Sequence, residues 1–312
     1  MRFPLRLLLP MIAVLQCANA ENGAASGNPP ARSTSAIALT PCKLPELEEP
    51  VRCGVLDVPE NPAKPRGRRL QIRVAVLPAT GQALPDPLVP LMGGPGEAAI
   101  SEAAYFAEQF APLRRDHDIL LVDQRGTGES SALRCELYSA EDRAASLMDL
   151  FPLAAVERCR QQLSARVDLT QYTYLRFASD LEQVRRELGY EKMNLFAGSY
   201  GTRAAQVIMR AYPQSVRTAY LGSVVPIDVI APLTMAKTAQ GVIDSMLDAC
   251  AAESACKTAF PNIREEFHQL IARLDAGEVR VAIPGRSETF PIRRGRVIEW
   301  FRSMNYRPGT AA

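Results

Sequence analysis

The chain has 312 residues, and 36 basic and 34 acidic side chains give it a formal net charge of +2. A nearly neutral chain without a basic patch is not typical of proteins that bind nucleic acid. Beyond the first residues, no apolar run approaches the roughly 18 residues that a membrane-spanning helix requires. Composition and length therefore favour a globular protein with one large domain.

The first twenty residues have the pattern of a secretory signal peptide. Basic residues stand at the start, residues 7–15 are apolar, and Ala18 and Ala20 supply the small side chains of a cleavage site. Lipid attachment at Cys17 is the alternative. We expect cleavage after Ala20 and a secreted or periplasmic protein, in which residues 21–40, small and polar, form a flexible leader.

Short apolar runs alternate with segments of helical periodicity along residues 41–228. The predicted strands are residues 70–77, 88–92, 119–122, 193–197 and 218–225. The predicted helices are residues 177–188 and 202–212. This alternation predicts an α/β fold with a mostly parallel sheet flanked by helices. Residues 229–312 are predicted to begin a helical lid, with helical character over 231–276 and weak alternation over 279–292. A plain helical extension is the alternative.

Six cysteines remain after removal of the predicted signal peptide, and an even number in an exported chain indicates disulfides. They form three pairs of neighbours in the sequence, which predicts the bridges Cys42–Cys53, Cys135–Cys159 and Cys250–Cys256. Sequence alone allows other connectivities, and reduced, buried cysteines are the alternative. The spacing of cysteines and histidines matches no zinc motif, so neither a metal nor another cofactor is predicted.

The segment Ala197-Gly198-Ser199-Tyr200-Gly201 directly follows one predicted strand and directly precedes a predicted helix. Strand, tight turn and helix are the setting of a nucleophile elbow, whose usual pattern is Gly-x-Ser-x-Gly. Strand and helix cross at such a turn, so the residues two before and two after the serine must be small. Ser199 is therefore the predicted nucleophile, and an ordinary loop serine is the alternative.

A Gly-rich loop, Gly93-Gly94-Pro95-Gly96, follows the predicted strand 88–92. An acyl-transfer enzyme needs backbone N–H groups that point at the developing oxyanion. One donor is the residue after the nucleophile, here Tyr200, and the other comes from a loop after an earlier strand. We expect Gly94 to be that second donor, since proline has no N–H. The alternative is an ordinary turn.

Four segments carry a family resemblance: GGPG at 93–96, DQRGTGES at 123–130, DLEQVRRELGYEKMNL at 180–195 and GSYGTRAA at 198–205. Together they resemble the prolyl aminopeptidase family of α/β-hydrolases, especially its secreted tripeptidyl aminopeptidase-like branch. The resemblance implies a serine peptidase that removes short N-terminal pieces from peptides with a free N-terminus, through an acyl-enzyme on Ser199. It also implies that Asp123 and Arg125 have a structural role. Leu221-Gly222-Ser223 stands where the family often has Leu-Asp-Gly.

A serine nucleophile needs a histidine base and a carboxylate that orients it. In this fold both follow the serine in the chain. Of the two histidines, His117 precedes Ser199 and lies at the start of a strand, at the sheet edge opposite the predicted site. His268 lies in the predicted lid, where we expect it on a solvated helix face. The sequence thus predicts that the last strands, with the catalytic Asp and His, are missing and that the chain has little activity.

Three accounts stay open. The chain is a fragment of a longer hydrolase, a degenerate non-catalytic peptide-binding protein, or an enzyme that uses His268 as its base. An esterase of the same fold is the alternative activity. The resemblance also implies a lid carboxylate that binds the substrate amine, for which Glu265, Glu266 and Asp248 are equal candidates. The sequence predicts no oligomeric state.

Overall fold

The computed structural model describes residues 37–139, 144, 147–285 and 287–304. The predicted signal peptide, Cys17 and most of the predicted leader lie outside the described residues. The described end of that leader belongs to the fold, because Ile37 is buried and the first strand begins at Thr40.

Seven strands form one sheet, in the order β1-β2-β3-β5-β4-β6-β7. The strands are β1 (Thr40–Leu44), β2 (Leu47–Pro59), β3 (Arg69–Leu77), β4 (Leu88–Leu91), β5 (Ile119–Val122), β6 (Met193–Gly198) and β7 (Val216–Gly222). The β1-β2-β3-β5 pairings are antiparallel, and the β5-β4-β6-β7 pairings are parallel. The parallel half matches four of the predicted strands, and it carries the predicted nucleophile.

Eight α-helices, three short 3-10 helices and a small hairpin complete the described part of the chain. The helices are α1 (Ala103–Gln109), α2 (Leu153–Ser164), α3 (Tyr174–Glu187), α4 (Gly201–Ala211), α5 (Ala231–Ala252), α6 (Ser254–Ala259), α7 (Ile263–Asp275) and α8 (Arg294–Met304). The hairpin pairs β8 (Arg280–Ala282) with β9 (Thr289–Pro291). Residues 231–276 are thus largely helical, as the sequence predicts.

The core has two parts, one on each face of the sheet. Side chains of a strand alternate between the two faces, and on β3 Val74 and Val76 contribute to one cluster while Ala75 and Leu77 contribute to the other. The apolar sides of α3 and α4 pack in the first cluster, and that of α1 packs in the second. The predicted α/β architecture, with helices that flank a sheet whose central part is parallel, is confirmed.

The structure contains three disulfides, Cys42–Cys53, Cys135–Cys159 and Cys250–Cys256, and these are the pairs that the sequence predicts. The first joins β1 to β2, and the third joins α5 to α6. Across residues 37–304, so far as the structure describes them, no helix is both long enough and apolar enough to cross a membrane. The same residues contain no cluster of three potential metal ligands.

Candidate active site

Ser199 lies with Tyr200 in the turn between the end of β6 and the start of α4. Its φ is +46°, in the left-handed region that residues other than glycine rarely adopt. Its N–H donates to the carbonyl of Gly222 at 2.9 Å, at the end of β7, and the residue is exposed. Strain of this kind concentrates at functional sites. The backbone of Ser199 therefore has the geometry of a nucleophile elbow, at the carboxyl edge of the parallel strands.

Crowding around the elbow explains one of its glycines. A Cβ on Gly201 would lie 2.2 Å from the carbonyl oxygen of Leu91 and 2.6 Å from that of Met92, so only glycine fits there. Ala197 is fully buried in β6. A Cβ on Gly198 would meet nothing within 4 Å, so crowding does not require a glycine at that position. The crowding predicted for the residues two before and two after Ser199 is therefore observed at Gly201.

The Gly-rich loop lies against the nucleophile because β4 and β6 are parallel neighbours whose carboxyl ends meet. A Cβ on Gly93 would be 3.5 Å from the carbonyl oxygen of Gly198 and 3.9 Å from Cβ of Ser199. The sequence analysis predicts that the Gly-rich loop and the elbow belong to one site, and the structure places them side by side. The loop residues Pro95 and Gly96 are exposed.

Both predicted oxyanion donors already have acceptors in this conformation. The N–H of Tyr200 donates to the carbonyl of Gly93, and the N–H of Gly94 donates to Oε2 of Glu97, each at 2.9 Å. An N–H that is paired inside the protein cannot at the same time stabilise an oxyanion at full strength. The 93–97 loop must therefore rearrange before Gly94 and Tyr200 can serve in that role. The sequence did not single out Glu97, although its position directly after the GGPG loop was visible.

The DQRG segment is held by buried contacts rather than directed at Ser199. Arg125 makes a two-pronged ion pair with Asp180, at 2.8 and 2.7 Å, and also donates to the carbonyls of Glu60 and Gln171. Burial raises the pKa of Asp180, and Arg125 opposes that rise. No described hydrogen bond joins Arg125 to the nucleophile.

Asp123 anchors the loops around it. Its carboxylate accepts from the N–H of Ile100 at 2.9 Å and from that of Glu129 at 3.5 Å. Burial raises the pKa of Asp123, while these backbone hydrogen bonds lower it. A Cβ on Gly128, whose φ is +50°, would meet Oδ2 of Asp123 at 2.2 Å. These contacts are of the structural kind that the resemblance implies for Asp123.

A cavity of about 330 Å³ adjoins the residue after the nucleophile. Its walls include Tyr174, Phe177 and Tyr200, together with Gln124 and Gly96. The rings of Tyr174 and Tyr200 lie 5.2 Å apart between centroids. Burial, together with the hydrogen bond to Tyr200, raises the pKa of Tyr174 well above its ordinary value.

Neither histidine is brought to Ser199 among the described residues. His117 lies just before β5, partly buried, with Nδ1 2.6 Å from the carbonyl oxygen of Asp86, at the amino ends of the parallel strands. His268 is exposed on α7, as the sequence predicts for a solvated helix face. No hydrogen bond from a described side chain reaches the hydroxyl of Ser199. The described part of the chain therefore places no general base at the serine.

The three candidate lid carboxylates all lie on exposed helix surface. Asp248 on α5 pairs with Arg264 at 2.6 Å, and Glu265 on α7 accepts from Gln269. Glu266 is also exposed on α7. None of the described contacts of these carboxylates involves the elbow, so the structure does not favour one of them.

The chain is similar to known hydrolases. A family model described as alpha/beta hydrolase fold matches residues 86–245. The serine protease Hip1 of Mycobacterium tuberculosis (strain ATCC 25618 / H37Rv) is 30% identical over 278 residues, a match that covers 81% of this chain and 53% of Hip1. The tripeptidyl aminopeptidase of Streptomyces lividans is 28% identical over 195 residues, 57% of this chain and 36% of that protein.

Among solved structures, a proline iminopeptidase-related protein from Thermus thermophilus superposes with a TM-score of 0.33 at 22% sequence identity. The superposition covers 55% of this chain and 44% of that one. The present chain spans about half the length of Hip1 and a smaller share of the aminopeptidase.

Proposed function

The chain belongs to the α/β-hydrolase fold family, and on that premise we propose that it is a serine hydrolase whose nucleophile is Ser199. The observation that carries the proposal is the left-handed backbone of Ser199, at a turn between a parallel strand and a helix. A non-glycine residue is rarely held in this conformation without a functional reason. The Gly-rich loop that packs against the same turn is the second support.

The proposed reaction is acyl transfer. The hydroxyl oxygen of Ser199 bonds to the substrate carbonyl carbon, the serine proton passes to a general base, and the leaving group departs with a proton. Water then hydrolyses the acyl-enzyme and restores the serine. The N–H groups of Gly94 and Tyr200 would stabilise the oxyanion once the loop has rearranged. The base is not among the described contacts of Ser199, so we expect slow turnover by the chain as it stands. Loss of a triad histidine costs on the order of 10⁶ in turnover.

We further propose that the substrate is a peptide with a free N-terminus. The names of Hip1 and of tripeptidyl aminopeptidase, a serine protease and an aminopeptidase, support this substrate class. The four motifs that resemble the prolyl aminopeptidase family support it as well. An esterase that acts on small acyl esters is the second candidate, because the same elbow would serve it.

Two matched comparisons separate these activities. The protein is assayed on a peptide arylamide and on a nitrophenyl ester, each with a free and with an acetylated N-terminus, and Ser199→Ala is the control. A peptidase of the proposed kind cleaves the free arylamide faster than the acetylated one, and Ser199→Ala abolishes the cleavage. Indifference to the acetyl group would favour the esterase.

The remaining accounts have their own tests. If His268 is the base, His268→Ala removes the activity, whereas the exposed position of this residue leads us to expect no effect. If the chain is a non-catalytic peptide-binding protein, the free peptide binds with equal affinity to the unaltered protein and to Ser199→Ala, and neither cleaves it.

We also propose that the protein is exported, with cleavage after Ala20 and three disulfides. Mass spectrometry of the exported protein is expected to find Glu21 as the first residue. Three disulfides remove two hydrogens each, so the intact mass should rise by the mass of six hydrogens on reduction. A start at Cys17 with an attached lipid, or six free thiols, would contradict it.

A further inference from the structure

Glu97, directly after the Gly-rich loop, is an acidic side chain that has no cationic partner among the described residues. It is exposed, and its described hydrogen bond is the one that Oε2 accepts from the N–H of Gly94 at 2.9 Å. No lysine, arginine or histidine nitrogen within the described residues forms a salt bridge with it. A carboxylate held against a backbone N–H while it lacks a counter-charge is free to bind a cation from outside the protein.

The position of this carboxylate relates it to the nucleophile. Glu97 folds back over Gly94 so closely that a Cβ on Gly94 would lie 2.5 Å from the carboxyl carbon of Glu97. Gly93, the neighbouring residue, packs against the backbone and Cβ of Ser199. The carboxylate therefore covers the N–H that the proposed reaction needs for its oxyanion.

A carboxylate at this place opposes acyl transfer as long as it stays there. The oxyanion would form beside an existing negative charge, and like charges at short range disfavour each other. It would also find the N–H of Gly94 already occupied. The side chain of Glu97 must leave Gly94, or be neutralised, before the reaction can proceed.

The chemistry of one substrate class would draw the carboxylate away. In an amino acid amide or the first residue of a peptide, the α-ammonium is separated from the carbonyl carbon by a single carbon atom. If that carbonyl oxygen faces the N–H of Gly94, the ammonium would lie near the carboxylate of Glu97, whose Oε2 is 2.9 Å from the Gly94 nitrogen. An ionic hydrogen bond between carboxylate and ammonium is stronger than one between carboxylate and a neutral N–H.

We propose that Glu97 covers the oxyanion position in the resting protein and is withdrawn by the free α-ammonium of the substrate. Glu97 thereby selects substrates in which the ammonium stands beside the scissile carbonyl, which is the arrangement for release of one N-terminal residue. This inference rests on the proposed function, and it narrows the substrate class of the same site.

The test does not need turnover. The protein is labelled with ¹⁵N-glycine, and the Gly94 resonance is assigned as the one that Gly94→Ala removes from among the 19 glycines. The probes are alaninamide and N-acetylalaninamide, which differ in the ammonium. Spectra are recorded for the unaltered protein, for Glu97→Gln, and for Glu102→Gln, a nearby exposed acid that serves as the control.

We expect Glu97→Gln to shift the Gly94 resonance, since it changes the acceptor of that N–H, and Glu102→Gln to leave it in place. Alaninamide should shift the Gly94 resonance and bind about 1.4- to 5-fold more tightly than the acetylated probe, the range of a solvent-accessible ion pair. Glu97→Gln should remove this preference, and Glu102→Gln should keep it.

Three results would overturn the proposal. The first is a Gly94 resonance that Glu97→Gln does not shift, and the second is an equal effect of the two probes on the unaltered protein. The third is tighter binding of alaninamide than of the acetylated probe in Glu97→Gln as well. Absence of binding by either probe would also overturn it. Failure of the proposed function has a different sign. In that case a serine-directed probe labels the unaltered protein and Ser199→Ala equally, independently of the result for the Gly94 resonance.

Discussion

Replacement of Arg125 by methionine tests how the segment beside the site is held. Methionine has a similar length but cannot pair with Asp180, whose side chain is 4% exposed. The change leaves a buried carboxylate without its cation, and the carbonyls of Glu60 and Gln171 also lose a donor. Removal of one partner of a buried ion pair costs about 3–5 kcal/mol. At about 2–4 °C per kcal/mol for a domain of this size, the melting temperature should fall by about 6–20 °C.

The loss of unfolding free energy in Arg125→Met should depend on pH, and the direction of that dependence follows from the pKa of Asp180. Burial already raises the pKa of Asp180 above its unfolded value, and without Arg125 only the smaller effect of Arg176 opposes that rise. A carboxyl whose folded pKa is raised stabilises the fold at low pH, and that stability disappears as the pH rises through the folded pKa. The deficit of Arg125→Met should therefore be largest at neutral pH and should shrink in acid.

The assay is urea unfolding of the unaltered protein and the variant between acid and neutral pH. Arg69→Met is the matched control, because the Arg69–Asp57 pair is about half exposed and should be worth less than about 1 kcal/mol. The double variant Arg125→Met with Asp180→Leu should recover much of the loss, since a buried pair can be replaced by apolar side chains. If Arg125→Met costs no more than Arg69→Met, or if its cost does not fall in acid, the reasoning is refuted.

Three further predictions concern stability. Gly201→Ala should cost about 1–3 kcal/mol, since its Cβ would collide with backbone carbonyls, and Gly198→Ala should cost far less; equal unfolding free energies of these variants would contradict the crowding. Burial and the bond to Glu60 raise the pKa of Tyr172 to about 12, so the stability that its hydroxyl contributes is present below pH 10 and lost towards pH 12; comparison with Tyr172→Phe across that range checks it. Replacing both cysteines of the Cys135–Cys159 bridge by serine should cost about 3 kcal/mol, measured by urea unfolding, and an unchanged midpoint would refute this.

The sequence predicted β4, β5 and β6 well because each of these strands is a short apolar run next to a turn. β7 is mostly exposed and runs over Val216–Gly222 rather than the predicted 218–225. Residues 88–92 and 119–122 differ from the observed strands by at most one residue, and both strands are fully buried. Helix α3 begins at Tyr174, three residues before the prediction, because the side chain of Thr173 accepts the N–H of Arg176 and caps it. The prediction started instead at the first buried apolar residue.

The antiparallel part was not predicted beyond β3. β2 runs from Leu47 to Pro59, and its half-exposed pattern, with a proline at position 50, lacks the continuous apolar run that marked the other strands. Contacts between residues that are far apart in the sequence could not be predicted either. Arg125 and Asp180 are 55 residues apart, and no local pattern links them.

In the candidate site, too, the local motifs were predicted and the contacts between them were not. The elbow and the Gly-rich loop are local motifs, and the sequence identified both. Whether the N–H groups of Gly94 and Tyr200 are free depends on how the loop folds back, and a motif does not contain that information. Sequence reasoning therefore chose plausible donors without seeing that Glu97 and Gly93 already accept from them.

The central claim is that Ser199 is the nucleophile, and labelling in the presence of imidazole tests it most directly. A fluorophosphonate forms a bond from the serine oxygen to phosphorus and releases fluoride, and added imidazole takes the proton that the described residues have no base to accept. We predict that imidazole accelerates labelling of the protein, that peptide mapping finds the adduct on Ser199, and that Ser199→Ala is not labelled. An adduct on another residue, or equal labelling of Ser199→Ala, would contradict the account.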